Sequence, residues 1–309
     1  MTPLTSSLPS IKRNQAASPG EPHAHGKAQA IGSDSSIGAI LVDNGRLSAE
    51  NAERVAVLQA KEGTRFGATA VNLGLLTEDD VRFALSRQFD NVYLPTDDTS
   101  LSHQLVAAYK PFSPTVERLR ALRGQLMMRW YNAETRHNAL AIMSPGTGEG
   151  RSFIAANLAI VFSQLGERTL LIDADLRTPY QQELFKLGHN AGLSGMLAHR
   201  IGHEAITRIP QLPGLYVLPA GAVPPNPQEL LGRSVFAELL QSLIRDFDIV
   251  IIDTPAADKY AESQVIAVGA SAALIVARKN HSSVSGMVNL TRNLQRNGAR
   301  MAGSVLNAF

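Results

Sequence analysis

The feature that most constrains the fold of this chain is a glycine-rich loop placed between two apolar stretches. The loop reads SPGTGEGRS over residues 144–152; the run ALAIM precedes it, and an apolar helix pattern follows from Phe153. Where a strand passes through glycines into a helix, backbone N–H groups can turn toward a bound anion at the helix N-terminus. This context predicts a phosphate-binding loop in an α/β domain, with a parallel sheet and flanking helices.

Eight consecutive residues make up the predicted nucleotide cradle. Ser152 offers a hydroxyl for Mg²⁺, and Arg151 stands at the position that such loops normally give to Lys. Because Arg keeps the positive charge on a bulkier, planar group, we expect nucleotide to bind while phosphoryl transfer slows. A glycine turn without nucleotide is the alternative when the loop is considered alone. The cradle comprises Gly146, Thr147, Gly148, Glu149, Gly150, Arg151, Ser152 and Phe153.

Acidic residues follow two further apolar runs. TLLIDADLRTP places Asp173 and Asp175 after a predicted strand, and FDIVIIDTP does the same for Asp253. Ligands of parallel sheets bind beyond the carboxyl ends of the strands, so these acids are expected near the loop. Carboxylates beside a phosphate site are what Mg²⁺-assisted phosphoryl chemistry requires. Together with the loop, they predict a site for ATP and Mg²⁺.

A repeat of two units occupies residues 36–88. The first unit runs from 36 to 59 and the second from 65 to 88, with a constant offset of 29 residues. Each unit is expected to form a short helix that stops at a glycine, followed by a second helix capped by Ser48 or Thr77. The repeat therefore predicts a small, mainly helical domain ahead of the α/β domain.

This repeat resembles the cyclic di-GMP-binding N-terminal domain of MshE-type and type II secretion ATPases. The second unit matches the family pattern at Arg65, Gly67 and Gly74. The resemblance implies that these three are the candidate residues for binding cyclic di-GMP. The first unit has Ser36 where the pattern has Arg, and Arg46 where it has an apolar residue. A guanidinium suits guanine edges and phosphate, so the missing Arg predicts weak or absent binding. A helical adaptor that keeps the fold without the ligand is the alternative.

Composition and charge exclude several classes of function. The chain has no cysteine, so it holds no disulfide, thiolate nucleophile or Cys-ligated zinc. Its formal net charge of +2 is too small to predict binding to nucleic acid or to a membrane surface. No apolar run approaches the ~20 residues of a membrane span, and none forms a signal-peptide core. We therefore expect a cytoplasmic protein that reaches a membrane only through a partner.

These patterns divide the chain into four segments. Residues 1–35 are rich in Ser, Pro, Ala and Gly, which predicts a disordered arm. The helical repeat domain is assigned to residues 36–95 and the α/β domain to residues 115–309. Prolines in the segment 96–114 predict a linker between the two domains.

A helix is expected to begin near Thr115, just after the linker. It carries Glu117, Arg120 and Arg123 at three-residue spacing, which places the three side chains close to one face. Taken alone, this spacing is also typical of a solvated charged face.

From Thr115 onward, the sequence resembles the bacterial tyrosine kinases, the BY-kinase branch of the MinD-like P-loop ATPases. Within that branch it is most similar to the EpsG-type chain-length-determinant kinases of exopolysaccharide clusters. The motifs that carry the resemblance are GEGRS, LLIDADLR, IIDTP and PAGAVPPNPQELLGR. Gly146 stands at the position of the MinD signature lysine, and Arg151 replaces the loop lysine.

The resemblance implies roles for individual residues. Arg151, with the backbone of Gly148 and Gly150, would hold the β- and γ-phosphates, and Asp175 would help to deprotonate a tyrosine hydroxyl. The implied metal ligands are Ser152, Asp173 and Asp253, and the implied catalytic residues are Asp173, Asp175 and Arg151.

The resemblance also implies partners. Glu117, Arg120 and Arg123 match the oligomerisation motif of the family, which predicts a self-oligomer. A membrane chain-length-determinant (Wzz-like) protein would hold this cytoplasmic chain at the inner membrane, and no nucleic acid is expected as a partner.

The position of the tyrosines bears on the expected activity. The family phosphorylates a tyrosine cluster in its own C-terminal tail, whereas the last tyrosine here is Tyr260. A tyrosine-kinase-like regulator of exopolysaccharide chain length, polymerisation or export is therefore expected to act on another protein or on a different tyrosine. The alternative is a non-kinase ATPase, or a cyclic di-GMP-responsive adaptor, of the same export machinery.

Overall fold

A computed structural model of the chain describes residues 36–88, 93–131, 137–188 and 191–308. The predicted arm at residues 1–35 lies outside the described residues. Helices occupy α1 (Ile37–Asp43), α2 (Ala49–Glu62), α3 (Phe66–Asn72), α4 (Glu78–Gln88), α5 (Val106–Tyr109), α6 (Pro114–Arg129), α7 (Arg151–Ser163), α8 (Gln181–Leu184), α9 (Leu193–Leu197), α10 (Pro227–Leu231), α11 (Ser234–Asp246), α12 (Glu262–Ala270) and α13 (Val284–Arg296), with a 3₁₀ turn at His203–Ala205. Strands occupy β1 (Ala139–Met143), β2 (Thr169–Asp173), β3 (Thr207–Arg208), β4 (Leu215–Leu218), β5 (Ile249–Asp253), β6 (Ala272–Arg278) and β7 (Arg300–Asn307).

The strands form one seven-stranded sheet in the order β3-β4-β2-β5-β1-β6-β7. All neighbouring strands run parallel except β3, which pairs antiparallel with β4. The predicted α/β domain with a parallel sheet and flanking helices is therefore confirmed. In the register of β2 and β5, Asp173 lies directly opposite Asp253, so both acids end neighbouring strands at the same level.

Helices cover both faces of the sheet and bury it. The five residues of β1 are all buried, as are those of β2 and β5, which is why these strands read as continuous apolar runs. Helix α7 packs on one face with α5 and α6, while α11, α12 and α13 pack on the other. The phosphate loop is thus held between a fully buried strand and a largely buried helix. None of the helices in the described ranges is both long and apolar enough to span a membrane.

The helical repeats fold as their sequence predicts. The side chain of Ser48 caps α2 by accepting from Asn51 N (3.2 Å). Thr77 and Asp80 cap α4 reciprocally, because Asp80 N donates to Thr77 Oγ1 (3.2 Å) and Thr77 N donates to Asp80 Oδ2 (3.0 Å). The short helices α1 and α3 each end just before a glycine with φ of +67°. The helix–glycine–capped helix pattern is therefore confirmed in both units.

The segment 96–114 connects the two parts, but it is packed rather than exposed. Leu101, Leu105 and Tyr109 are buried in the same core as α7. Ahead of it, the ring of Tyr93 contacts Phe83 of α4 on one side and Phe112 on the other, each edge-to-face at 6.4 Å. The prolines of this segment thus sit in an ordered connection that belongs to the core of the α/β domain.

Candidate nucleotide and magnesium site

The phosphate loop has the backbone conformation that its glycines predict. Gly148 and Gly150 adopt φ of +70° and +93°, a left-handed region that disfavours residues with a Cβ. Helix α7 starts at Arg151, and no side chain caps its first turn. The N–H groups of this first turn have no partner within the helix, and the helix dipole adds positive charge there. The loop is therefore suited to bind phosphate oxygens.

A cavity of about 640 Å³ opens over this loop. Its floor is the segment from Gly148 to Phe153, and its wall brings in residues from the connecting segment, the β2–α8 loop and the ends of β6 and β7. The other lining residues are Gln104, Thr115, Tyr180, Arg278, Asn307 and Ala308. Of the predicted cradle, Gly146 and Thr147 lie outside this lining.

Arg151 lies beneath the loop, with its guanidinium directed at the strand ends. Its Nε donates to the Thr254 carbonyl (2.8 Å), and its Nη1 donates to the Gly146 carbonyl (2.7 Å) and to Ser144 Oγ. Its Nη2 lies 3.9 Å from Asp175 Oδ2. Only 9% of the residue is exposed. The side chain therefore ties the ends of β1 and β5 together and brings positive charge beneath the site.

Asp253 is the acid whose environment best fits a metal ion. The residue is fully buried; its Oδ2 accepts from Gln181 Nε2 (2.8 Å), whereas its Oδ1 finds no hydrogen-bond partner among the residues that the structure describes. Burial raises the pKa of Asp253 to about 6, against the lowering effects of Arg151 and of the nearby Ser152 and Gln181 side chains. An unsatisfied buried carboxylate oxygen is costly unless a ligand uses it.

Asp173 and Asp175 are engaged by backbone N–H groups. Asp173 Oδ2 accepts from the N–H groups of Tyr180 and Gln181 (2.9 Å each), and its Oδ1 accepts from Asp175 N (3.1 Å). Asp175 Oδ1 accepts from Thr178 N (2.9 Å), which fixes the loop after β2. Burial, followed by the charge of Asp253, raises the pKa of Asp173 well above its usual range. Asp173 therefore fixes the loop after β2 and also contributes a carboxylate to the site.

The charges at these strand ends fit a divalent cation. Arg151 interacts with Asp175 and Asp253, and the carboxylate of Asp173 lies beside those of the other two acids. The part of the chain that the structure describes holds no cluster of three or more His, Cys, Asp or Glu side chains arranged as a metal site. Mg²⁺ does not require such a cluster, because it commonly binds one or two carboxylates plus water and phosphate oxygens. The residues present thus fit Mg²⁺ bound with a nucleotide.

The predicted oligomerisation triplet makes contacts within its own chain. Arg120 Nη1 bonds to the Glu117 carboxylate and donates to the Pro111 carbonyl (2.6 Å). Arg123 Nη1 donates to the Val161 carbonyl of α7, and burial together with the neighbouring Arg120 lowers the pKa of Arg123. The structure therefore brings the triplet together on α6 and ties it to α7. A contact with a second copy stays a prediction.

The candidate cyclic di-GMP residues have local structural roles. A Cβ at Gly67 would lie 2.5 Å from a methyl of Val81, so this glycine permits the close approach of α3 and α4. Gly74 forms the left-handed turn after α3. Arg65 is exposed at the N-cap position just before α3, and its side chain makes no capping bond. These contacts explain both glycines by packing and turn geometry, and cyclic di-GMP binding stays a prediction.

Several site residues are absent from the sequence-based prediction. Gln181 bridges the Asp253 carboxylate and the Ser152 carbonyl (3.1 Å). Asn157 of α7 accepts from Ala107 N (2.9 Å) and donates to the Gln104 carbonyl (3.1 Å), and Gln104 Nε2 in turn donates to Tyr180 Oη (2.7 Å). These polar residues follow no spacing rule. Asn157, a polar residue inside an otherwise apolar helix, is the one signal that the sequence offered.

Comparison with known proteins assigns the α/β part to a family. Residues 138–304 match the model of an AAA domain. CapB of Staphylococcus aureus, which is named among the tyrosine-protein kinases, is 33% identical over 198 residues, or 64% of this chain and 86% of CapB. A Klebsiella pneumoniae protein named as a tyrosine-protein kinase in the cps region is 34% identical over 210 residues, or 68% of this chain.

The matched region makes up most of CapB but only a part of other relatives. It makes up 29% of the Klebsiella pneumoniae protein, so this chain spans less than a third of that relative. Among solved structures, the kinase domain of the Escherichia coli tyrosine kinase ETK superposes with a TM-score of 0.65 at 31% identity, covering 71% of this chain and 85% of that domain. The fold of the α/β part is thus shared with these proteins.

Proposed function

This chain belongs to the AAA-domain P-loop proteins and, within them, to the bacterial tyrosine kinases, and from that premise we propose that it binds ATP with Mg²⁺ and transfers the γ-phosphoryl group to a tyrosine hydroxyl. The observation that carries the proposal is Asp253 Oδ1, a buried carboxylate oxygen that has no hydrogen-bond partner among the described residues. It lies beside Ser152 at the start of α7, next to the loop whose N–H groups suit phosphate. A nucleotide-bound cation would satisfy this oxygen.

The residues of the chain divide the work of the reaction. The N–H groups around Gly148, Gly150 and the start of α7 would hold the phosphates, and the helix dipole would stabilise their charge. Ser152, Asp173 and Asp253 would hold Mg²⁺, Asp253 directly and Asp173 through water because backbone N–H groups already bond its carboxylate. When bound, Mg²⁺ neutralises charge that develops on the phosphate oxygens.

Asp175 is the proposed acceptor of the proton that leaves the tyrosine. Its Oδ1 accepts from Thr178 N, and its Oδ2 accepts from Thr178 Oγ1 (3.1 Å) while facing Arg151 at 3.9 Å. These contacts fix the position of the carboxylate, as proton acceptance from a bound hydroxyl requires. Arg151 would act from beneath the loop, by neutralising the acids and holding β1 and β5 together.

Tyr180 is the first candidate for the phosphate acceptor within the chain. It is the only one of the six tyrosines that lines the cavity over the loop, and 39% of the residue is exposed. Its hydroxyl is held at the cavity mouth by Gln104. Because the chain offers this tyrosine, phosphorylation does not require a tyrosine cluster beyond Tyr260.

The experiment is incubation of the full chain with ATP and Mg²⁺, followed by phosphotyrosine detection and mapping of the modified peptide. We expect phosphotyrosine in the native chain and none after Asp253→Ala. After Tyr180→Phe, the peptide that contains residue 180 should no longer be phosphorylated. Tyr216→Phe is the matched control, since Tyr216 packs against Phe247 away from the cavity. ATP hydrolysis without any phosphotyrosine would instead point to the non-kinase ATPase or to a kinase whose substrate is another protein.

One observation favours that second function. The guanidinium of Arg151 donates to two carbonyls and a hydroxyl of its own protein, so part of its donor capacity is already used. A loop cation held in this way suits nucleotide-dependent assembly with slow turnover. In that case the chain would work as an ATP-dependent switch.

The cellular role follows from the relatives. One relative is named from a cps region, and the sequence resembles chain-length-determinant kinases, which supports regulation of exopolysaccharide polymerisation or export. We place the chain in the cytoplasm at the inner membrane, held there by a membrane chain-length-determinant (Wzz-like) partner. Co-purification of the two proteins from membranes, compared with the chain expressed alone, tests this placement.

Self-assembly is proposed for the face that carries Glu117, Arg120 and Arg123. Substitution of both arginines by Ala should shift the protein toward monomer in sedimentation velocity. Arg118→Ala is the matched control, because Arg118 lies on the same helix and is exposed. An unchanged oligomer in the double variant would assign the triplet to contacts within its own chain.

A further inference from the structure

Side chains from the β6–β7 edge of the sheet hold three successive carbonyl groups of the phosphate loop. His281 Nε2 lies 3.1 Å from the Thr147 carbonyl, Arg278 Nη1 donates to the Gly148 carbonyl (3.1 Å), and Asn307 Nδ2 donates to the Glu149 carbonyl (3.3 Å). Because a carbonyl only accepts, the His281 contact requires a proton on Nε2. We call Arg278, His281 and Asn307 the carbonyl clamp.

The side chain of Glu149 adds a fourth contact to the same part of the loop. Glu149 is 1% exposed; its Oε2 accepts from Gly146 N (2.8 Å) and its Oε1 from Ser282 Oγ. The same Ser282 Oγ accepts from Arg278 N (2.8 Å). The loop is therefore bonded to the β6–α13 connection through its backbone and through its one acidic side chain.

Two of the three clamp residues are themselves fixed by the sheet. Arg278 ends β6 and Asn307 ends β7, and the two are register partners in the parallel pair. Lys279 N donates to the Asn307 carbonyl (2.8 Å), which closes the end of this pair. Two donors are thus presented to the loop from neighbouring strand ends rather than from a mobile surface.

The orientation of the carbonyls decides the orientation of the N–H groups. Each peptide unit is planar with its C=O and N–H pointing in opposite directions, so a carbonyl held on one side turns the following N–H to the other. Carbonyls of Thr147, Gly148 and Glu149 that bond to the clamp leave the following N–H groups directed away from it. We infer that Arg278, His281 and Asn307 are positioning residues that orient the N–H groups of the loop for the phosphates of the nucleotide, an inference that rests on the proposed function.

Variants of Arg278 and Asn307 distinguish the effect of charge from the effect of loop geometry. Arg278 lines the cavity together with Arg151 and also brings a positive charge to it. Asn307 is neutral, so its truncation removes the carbonyl contact alone. Asn307 ends the edge strand β7 and is not part of the fully buried core, so Asn307→Ala leaves that core intact.

The first measurement is amide hydrogen exchange of the nucleotide-free full chain, read on peptides that cover residues 146–152. Arg278→Ala and Asn307→Ala should each speed exchange of these peptides while peptides from β2 stay unchanged. Lys279→Ala is the matched control: Lys279 is the neighbouring cation, is exposed, and does not line the cavity. Unchanged exchange of the loop in both variants would overturn the inference.

The second measurement compares the affinities of ATP and adenosine for each variant. Asn307→Ala loses one hydrogen bond behind the loop and should weaken ATP binding about fivefold, because a net hydrogen bond contributes ~1 kcal/mol. Arg278→Ala should weaken it further, because this variant also removes a positive charge from the cavity. Adenosine, which has no phosphate, should bind as it does to the native chain, and KM for ATP should rise while kcat changes little. Equal weakening of ATP and adenosine would also overturn the inference, since it would indicate a general disturbance.

The two measurements separate this inference from the proposed function. If loop exchange rises in the variants but the native chain binds no ATP, the clamp stands and the proposed function fails. If the native chain binds ATP and the variants match it in both measurements, the proposed function stands and the clamp fails. Compared with Arg278→Ala, Arg278→Lys should recover part of the lost affinity, because Lys retains the positive charge and can donate to the same carbonyl.

Discussion

In the helical repeats, Asp80 is bonded on both sides, by Thr77 and by Arg46 (2.6 Å), whereas in the α/β domain Asp253 keeps one buried oxygen without a partner in the described chain. Burial alone would raise the pKa of Asp80, yet the hydrogen bonds from Thr77 and Arg46 bring it below its usual value. For Asp253, burial prevails and raises the pKa to about 6. The pKa of a carboxylate is thus lowered in the helical repeats and raised in the α/β domain.

The difference teaches where each region places its polar groups. The departures of the first repeat unit from the ligand-binding pattern serve the fold: Ser36 caps α1 by accepting from Ala39 N (3.3 Å), and Arg46 stacks over the ring of Phe83 at 4.2 Å. Such polar groups are satisfied inside the domain. In the α/β domain, the strand end of β5 instead buries Asp253 Oδ1 without a partner in the described chain, and a ligand would remove the cost of that burial.

The largest expected effect comes from removal of one carboxylate in each region. Asp253→Ala should lower Mg²⁺-dependent turnover about a hundred- to a thousandfold, the range found when a single electrostatic contact to the reacting group is lost. Asp80→Ala should leave turnover unchanged, because its partners lie within the helical repeats. Steady-state ATPase or phosphotransfer rates of the two variants check this. Similar losses in both would break the comparison.

The second effect is the change in the free energy of unfolding when a carboxylate is replaced by an amide, and its sign differs between Asp253 and Asp80. The folded pKa of Asp253 is raised from 3.8 to about 6, so this group opposes folding progressively as pH rises from about 4 to 6, and the full cost is present above that window. Without Mg²⁺, Asp253→Asn should therefore stabilise the chain at pH 8 by about 3 kcal/mol, at ~1.4 kcal/mol for each pKa unit. Urea unfolding at pH 8 and at pH 4 measures this, with a gain expected only at pH 8. A loss of stability at pH 8 would mean that Asp253 is a structural acid.

Arg151→Lys tests the cation beneath the loop. Lys cannot reproduce the fork of bonds to Thr254 and Gly146, so stability should fall by about 2 kcal/mol, one net hydrogen bond contributing ~1 kcal/mol. Nucleotide binding should persist and turnover should rise severalfold, since a compact ammonium is more mobile toward phosphate. Thermal unfolding and nucleotide titration give the two readouts. Complete loss of ATP binding would show that the loop is built around Arg for another purpose.

Ser36→Arg tests whether the helical repeats have kept a ligand site. The native chain should bind cyclic di-GMP weakly or not at all, and the variant should bind about tenfold more tightly, because one charge-assisted contact contributes ~1.5 kcal/mol or more. Calorimetric titration of the full chain makes the comparison, with Ser48→Arg as the control at another cap. Absence of binding in both forms would leave the region as a helical adaptor.

The smallest effect is expected from the cap of α4. Asp80→Asn should lower stability by about 1 kcal/mol at pH 7, since the reciprocal cap with Thr77 and the ion pair with Arg46 are weakened. The loss should disappear as pH falls below about 4, because the lowered pKa of Asp80 contributes stability only while the group is ionised. This sign is opposite to that of Asp253→Asn. Denaturant unfolding against pH shows both signs.

Much of the fold could be predicted because the decisive signals are local in sequence. ALAIM forms β1, the glycines of the loop adopt the left-handed backbone they allow, and Thr77 caps α4. The sequence also predicts that Asp173 and Asp253 lie close together, because parallel strands bring their carboxyl ends to one edge of the sheet.

The rest depends on contacts between residues far apart in sequence. The prolines at 96–114 predict a linker, yet Leu105 and Tyr109 of that segment are buried in the core of the α/β domain. The direction of the Arg151 side chain, the bridge made by Gln181 and the contact of Asn307 with the loop are decided by which strand ends become neighbours. No spacing rule contains that information.

The most direct test of the account is calorimetric titration of ATP into the full chain, with and without Mg²⁺, for the native protein and for Asp253→Asn. If the strand-end acids and the loop form a nucleotide–magnesium site, Mg²⁺ should strengthen ATP binding to the native chain by about tenfold or more, as one charge-assisted contact contributes ~1.5 to 3 kcal/mol. The Asp253→Asn variant should bind ATP equally with and without Mg²⁺. Failure of the native chain to bind ATP, or an undiminished Mg²⁺ effect in the variant, would contradict the account.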